Sequence, residues 1–171
     1  DRFQTAKLTK ALLRDSLPAY VRVSRSATED VYGENMEFTL NKANVLMEGD
    51  DILLVACGEM VPGAYRAGKI LQERGYSVGL LDMYCVKPMD QETLLSAAGR
   101  AKLVVTVEEH SPFGGLGSIT AQVISAHCPR KVVNLALPDG HLVGGKNTEI
   151  FAHYGLDAEG IVWACQEAFE Q

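Results

Sequence analysis

Apolar runs at residues 52–56, 77–83, 103–107 and 131–136 recur at a spacing of roughly 25 residues, and each ends in a polar or glycine-containing loop. The runs are too continuous for strands with one wet face, so the sheet they form is covered on both sides. Helix-period stretches lie between them, at about 61–74, 90–98 and 116–126. Crossovers of that length imply parallel strands joined right-handedly. Local signals agree with this order. Ala64, Ala67, Gly68 and Leu71 form one apolar stripe, and Gly75 is a suitable helix stop. Asp90 is placed to cap the second helix, with Pro88 fixing the entry. A short helix is predicted near Thr148–Tyr154, ended by Gly155, and Asp157 opens a last one reaching Phe169. With a short strand near Ala43–Met47, the reading is α/β: a mostly parallel sheet of about five strands with helices on both faces.

The first 25 residues follow a different pattern. Asp1 through Arg14 is predicted as a helix, with Asp1 as cap and Phe3, Ala6, Leu8, Ala11, Leu12 and Leu13 as a broad apolar face. Pro18 breaks it, and Ala19–Val23 alternates as a short strand. One helix and one strand cannot bury enough surface to fold alone, so this piece reads as the last αβ unit of a preceding domain. Residues 26–42 are polar and weakly periodic, as a linker should be. The opening Asp1-Arg2-Phe3 has no initiator Met and reads as the start of a processed or trimmed chain.

The net charge of −6 argues against nucleic acid, which needs a concentrated basic surface. No apolar run approaches the roughly 20 residues that span a bilayer. Cys57, Cys85, Cys128 and Cys165 form no C-x-x-C pair, and three lie in or beside apolar stretches. They read as free, largely buried thiols of a reduced, cytoplasmic protein.

Candidate chemistry gathers at strand ends. Gly114-Gly115-Leu116-Gly117-Ser118 opens a helix and would suit a phosphate. Its G-G-x-G spacing is not a dinucleotide fingerprint, and close helix–strand packing explains the glycines better. Glu108, Glu109 and His110 follow a strand at the edge where α/β sheets bind ligands. As sequence neighbours their side chains should diverge, which favours fixing a loop or an interface over acid–base work. His127, His141 and His153 have no partners at metal-ligand spacing, and Ser118 lacks a nucleophile elbow. Arg22 and Arg25 lie at the end of YVRV and can present planar forks to an anion; a surface or interdomain salt bridge is the competing role.

Taken together, PAYVRVSR (18–25), GDDILLVACGEMV (49–61), LLDMYCVKPMD (80–90), VVTVEEHSPFGGLGS (104–118), ALPDGHLVGG (136–145) and YGLDAEGI (154–161) resemble the end of a transketolase. The similarity is to the C-terminal part of the short, split bacterial or archaeal type. 1-Deoxyxylulose-5-phosphate synthases and the β subunits of 2-oxoacid dehydrogenases share that architecture.

The resemblance implies a three-layer transketolase C-terminal domain at 43–171, preceded by a linker at 26–42. Residues 1–25 would be the last helix and strand of the pyrimidine-binding domain. It implies an enzyme using thiamine diphosphate and Mg²⁺ to transfer a two-carbon ketol unit between sugar phosphates, as in the pentose phosphate reactions. The metal-binding and cofactor-activating motifs have no counterpart here, so the chain alone should be inactive and hold neither cofactor nor metal. It would work with N-terminal diphosphate- and pyrimidine-binding domains or a separate N-terminal subunit, as a homodimer or heterotetramer. Arg25 matches the transketolase arginine that grips the substrate phosphate; no catalytic residue carries over. The alternative implied by the relatives is a non-catalytic docking domain of a 2-oxoacid-dehydrogenase or deoxyxylulose-phosphate-synthase type of enzyme.

Overall fold

A computed structural model describes residues 1–170. Five strands form one sheet: β1 (Asn44–Met47), β2 (Ile52–Ala56), β3 (Val78–Asp82), β4 (Leu103–Val107) and β5 (Lys131–Leu135). Their spatial order is β1-β3-β2-β4-β5. β3, β2, β4 and β5 run parallel, and β1 is an antiparallel edge strand against β3. The helices are α1 (Arg2–Leu12), α2 (Met60–Glu73), α3 (Gln91–Ala98), α4 (Leu116–His127), α5 (Asn147–His153) and α6 (Ala158–Glu170).

Every residue of β2, β3 and β4 is buried, as their largely apolar sequences require, with Asp82 and Thr106 the buried polar members. Alternate side chains serve opposite faces. Ile52, Leu54, Leu80 and Val105 pack with Ala64, Leu71, Ile161 and Cys165 of α2 and α6. Leu53, Val55, Leu81 and Val104 pack with Leu94, Ala98 and Ile124 of α3 and α4. The result is the expected three-layer α/β fold.

Caps also fall where the residue types place them. Asp90 accepts from Thr93 N–H at 3.3 Å and Thr93 Oγ1 at 2.7 Å, and it also accepts from Ala43 N–H at 3.0 Å. That one carboxylate therefore starts α3 and anchors the chain entering β1. Asp157 accepts from Gly160 N–H at 2.9 Å at the head of α6.

The N-terminal segment departs from expectation at one point. Asp1 caps α1 through Gln4 N–H at 3.0 Å, but no residue of α1 is buried. Residues 19–23 form no strand: they are exposed, and no ladder hydrogen bond reaches them. A strand needs an edge to pair with, and no strand of this sheet lies alongside residues 19–23. Leu13, Leu17, Tyr20 and Val23 stand 67–90% exposed, so the apolar pattern there meets no matching surface.

All four cysteines are free; Cys165 is buried and the other three are half-buried. Among the described residues no helix is long and apolar enough to cross a membrane.

Candidate functional site

The strand order reverses direction between β2 and β4, because β2 leads through α2 to β3 on one side and β3 crosses back to β4. In open α/β sheets the crevice at the carboxyl ends of such a pair is the usual ligand position. Here it is bordered by Cys57, Gly58 and Glu59 after β2 and by Glu108, Glu109 and His110 after β4.

The three residues after β4 do diverge. Glu108 turns inward, is 2% exposed, and accepts from the N–H groups of Leu116 at 2.6 Å and Gly117 at 2.8 Å. Its carboxylate thus takes the anion position that the positive end of α4 provides. The glycines make that approach possible: a Cβ on Gly115 would lie 2.0 Å from Glu108 Oε2, and one on Gly117 would lie 2.2 Å from Asn134 Cγ. Gly114, with φ at +75°, adopts the left-handed conformation that the loop requires. The GGLGS loop therefore binds a carboxylate of its own protein.

Glu109 turns outward. It accepts from Arg22 Nη2 at 3.0 Å and lies beside Glu59, which accepts from Asn147 Nδ2 at 3.0 Å. Burial and the neighbouring Glu59 raise the pKa of Glu109 above the usual carboxylate range, while Arg22 works against that rise. His110 is exposed, with Nδ1 2.8 Å from its neighbour's carbonyl at Ser111. Burial, then the Glu108 and Asp82 carboxylates, push the Cys57 thiol up to about 12, so it is no ready nucleophile.

A second polar cluster lies at the end of β3. Asp82 is 1% exposed and accepts from Tyr32 Oη at 2.7 Å and from Gln4 Nε2. Asp1 accepts from the N–H groups of Val31 and Tyr32, both at 2.8 Å. These contacts fasten α1 and the linker to the sheet. Sequence reasoning did not single out Asp82, Tyr32 or Glu59. The visible signal was an acid ending an unbroken apolar run, LLD, at Asp82.

Between the N-terminal segment and these strand ends lies a cleft of about 1070 Å³, lined by Leu8, Leu12, Tyr20, Glu59, Tyr84 and Lys87 among others. Arg25 is exposed at the end of the 19–25 segment and forms no ion pair or side-chain hydrogen bond with another described residue. Arg22, its neighbour in the motif, is committed to Glu109. Among the described residues no three His, Cys, Asp or Glu side chains form a metal-holding group, and the four histidines do not converge. With the head of α4 already neutralised by Glu108, the residues present do not fit a diphosphate–metal cofactor at this switch point.

The fold and these strand-end motifs place the chain in a known family. A transketolase C-terminal domain profile matches residues 41–161, and the chain belongs to that family. It is 47% identical over 171 residues to an apulose-4-phosphate transketolase subunit of Phocaeicola vulgatus, covering 99% of this chain and 54% of that protein. It is 31% identical over 163 residues to the 1-deoxy-D-xylulose-5-phosphate synthase of Caldanaerobacter subterraneus, covering 94% of this chain and 26% of that one. Its structure superposes on a split-gene transketolase described as an inactive beta4 tetramer, with a TM-score of 0.89 and 36% identity. That match covers 99% of this chain and 55% of the other. The chain spans about half the length of the transketolase subunit it matches.

Proposed function

We propose that this chain is the C-terminal portion of a transketolase that transfers a two-carbon ketol unit between sugar phosphates. The observation that carries the reading is its similarity, along nearly all its length, to a transketolase subunit of which it spans only about half. The remaining segments, on the same chain or on a separate N-terminal subunit, would hold thiamine diphosphate and Mg²⁺ and form a homodimer or heterotetramer. Thiamine diphosphate would supply the stabilised carbanion, and protein groups would position the sugar. The exposed Leu13, Leu17, Tyr20 and Val23 suit burial against those segments. A cytoplasmic setting accords with the free thiols.

In this reading Arg25 grips the substrate phosphate. Its guanidinium is exposed at the end of the 19–25 segment and free of ion pairs with described residues, as a group reserved for a ligand should be. The test is Arg25→Ala in the full assembly. The expected result is a KM for D-ribose 5-phosphate raised about tenfold or more, as for loss of a charge-assisted bond of roughly 1.5–3 kcal/mol. The KM for D-ribose should change little. Equal changes for both would overturn the assignment.

The 31% identity to a 1-deoxy-D-xylulose-5-phosphate synthase supports a second reading, that the assembly makes 1-deoxy-D-xylulose 5-phosphate. Assay of both products with the same assembly separates the two.

A further inference from the structure

Arg22 and Glu109 tie the 16–28 segment to the carboxyl ends of the sheet at the β2/β4 switch point. Among the described residues, their 3.0 Å ion pair is the one hydrogen bond linking residues 16–28 to residues 43–170. Residues 19–23 pair with no strand of this sheet, so Arg25 is tied to it through two flanking ion pairs, Arg22 with Glu109 on one side and Glu29 with Arg66 of α2 on the other. Arg25 lies three residues beyond Arg22, about 10 Å along an extended chain.

Glu109 is a fixed anchor and not a loose surface acid. Its side chain is 27% exposed, against 61% for Arg22. It lies beside Glu59 at the head of α2, and Glu59 is in turn held by Asn147 of α5. The sequence Arg22–Glu109–Glu59–Asn147 thus runs from the N-terminal segment across the β2/β4 switch point to α5. Two carboxylates side by side repel each other, and Arg22 is the cation that relieves this. Charge balance therefore favours one location for Arg22, against Glu109.

We propose that Glu109 is a positioning residue for Arg25: by holding Arg22 at the β2/β4 switch point, it sets where the phosphate-gripping end of the 19–25 segment lies. The crevice where this fold class usually binds a ligand is used here to hold the substrate-binding arm of the preceding unit. The inference rests on the reading of Arg25 as the phosphate grip, and its test keeps the two apart.

The experiment compares Arg25→Ala, Arg22→Ala, Glu109→Gln and the exchange Arg22→Glu with Glu109→Arg in the full assembly. Each is assayed with D-ribose 5-phosphate and with D-ribose, and inorganic phosphate serves as competitive inhibitor. Exposed ion pairs contribute roughly 0.2–1 kcal/mol, so Glu109→Gln and Arg22→Ala should each raise KM for D-ribose 5-phosphate and Ki for phosphate about two- to fivefold. The kcat values and the KM for D-ribose should stay within about twofold. The exchange variant should recover most of the loss, because the guanidinium moved to position 109 would face both the carboxylate moved to position 22 and that of Glu59.

Selective loss with Arg25→Ala, but none with Glu109→Gln or Arg22→Ala, would overturn the positioning role alone. Equal loss for both sugars with Glu109→Gln would make it a general packing contact and overturn the role as well. No selectivity with Arg25→Ala would remove the phosphate-grip reading itself.

Discussion

Glu108 accepts a hydrogen bond from the backbone N–H of Leu116 at 2.6 Å, so the anion position at the head of α4 is filled by the protein itself. A buried carboxylate with two backbone donors is a strong local contact, at roughly 1.5–3 kcal/mol per charged bond. Glu108→Ala should destabilise the chain by about 2–4 kcal/mol, because it leaves the N–H groups of Leu116 and Gly117 buried without partners. Denaturant unfolding measures this. Calorimetry of the unmodified protein with NAD or ATP should show no heat from this loop; binding that Gly117→Val abolishes would contradict the assignment.

Gly117 and Asn134 form a close contact between α4 and β5. A Cβ at position 117 would fall 2.2 Å from Asn134 Cγ, and Asn134 Oδ1 also accepts from Thr106 Oγ1 at 3.0 Å. Gly117→Ala should cost about 1–3 kcal/mol by overpacking. Adding Asn134→Ala makes room, so the double variant should lose less than the sum of the single losses. Strict additivity would show that the clash is relieved elsewhere.

Asp82 gives the pH dependence an unusual sign. Burial raises its pKa above the usual aspartate value, while the bonds from Tyr32 and Gln4 only partly oppose this. The native state therefore binds the proton more tightly than the unfolded chain does. The stability this contributes is fully present below the unfolded aspartate pKa and is lost as pH rises through the raised native value. Urea unfolding of the wild type and Asp82→Asn from pH 4 to 8 should show the wild type losing ground as pH rises. An advantage that grows with pH would contradict the buried geometry.

Asp90 should behave in the opposite way. Burial pushes its pKa up, but the bonds from Thr93, Ala43 and Lys42 outweigh that and hold it below the usual aspartate value. Its contribution is present above the unfolded pKa and is lost as pH falls through the lowered native value. Asp90→Ala should cost about 1–2 kcal/mol near neutrality, as for loss of a helix cap. The difference from wild type should shrink below about pH 4. A cost that persists unchanged in acid would mean that packing, not the charged cap, is responsible.

Much of this architecture was legible because burial on both faces leaves a simple mark. Leu103–Val107 is apolar except at Thr106 and forms β4 at those bounds, and Asp90 precedes its helix as a cap must. Residues 19–23 misled for a physical reason: alternation reports a preference for an edge, and this sheet offers none alongside them. The divergence of Glu108 and Glu109 followed from their adjacency, yet their partners did not. Arg22 and Glu109 are 87 residues apart, and Tyr32 and Asp82 are 50 apart. Such pairings depend on topology, which single-residue chemistry does not encode. Arg25 came from family resemblance, since an exposed arginine at a chain bend has no pattern of its own.

Reconstitution is the decisive experiment for the proposed role. The chain is assayed for two-carbon ketol transfer, and by calorimetry with thiamine diphosphate and Mg²⁺, first alone and then joined with the segments that complete its native assembly. Neither activity nor cofactor heat is expected from the chain alone, and both are expected from the assembly. Cofactor binding and ketol transfer by residues 1–171 alone would contradict that role, as would a completed assembly that binds thiamine diphosphate but transfers no ketol unit.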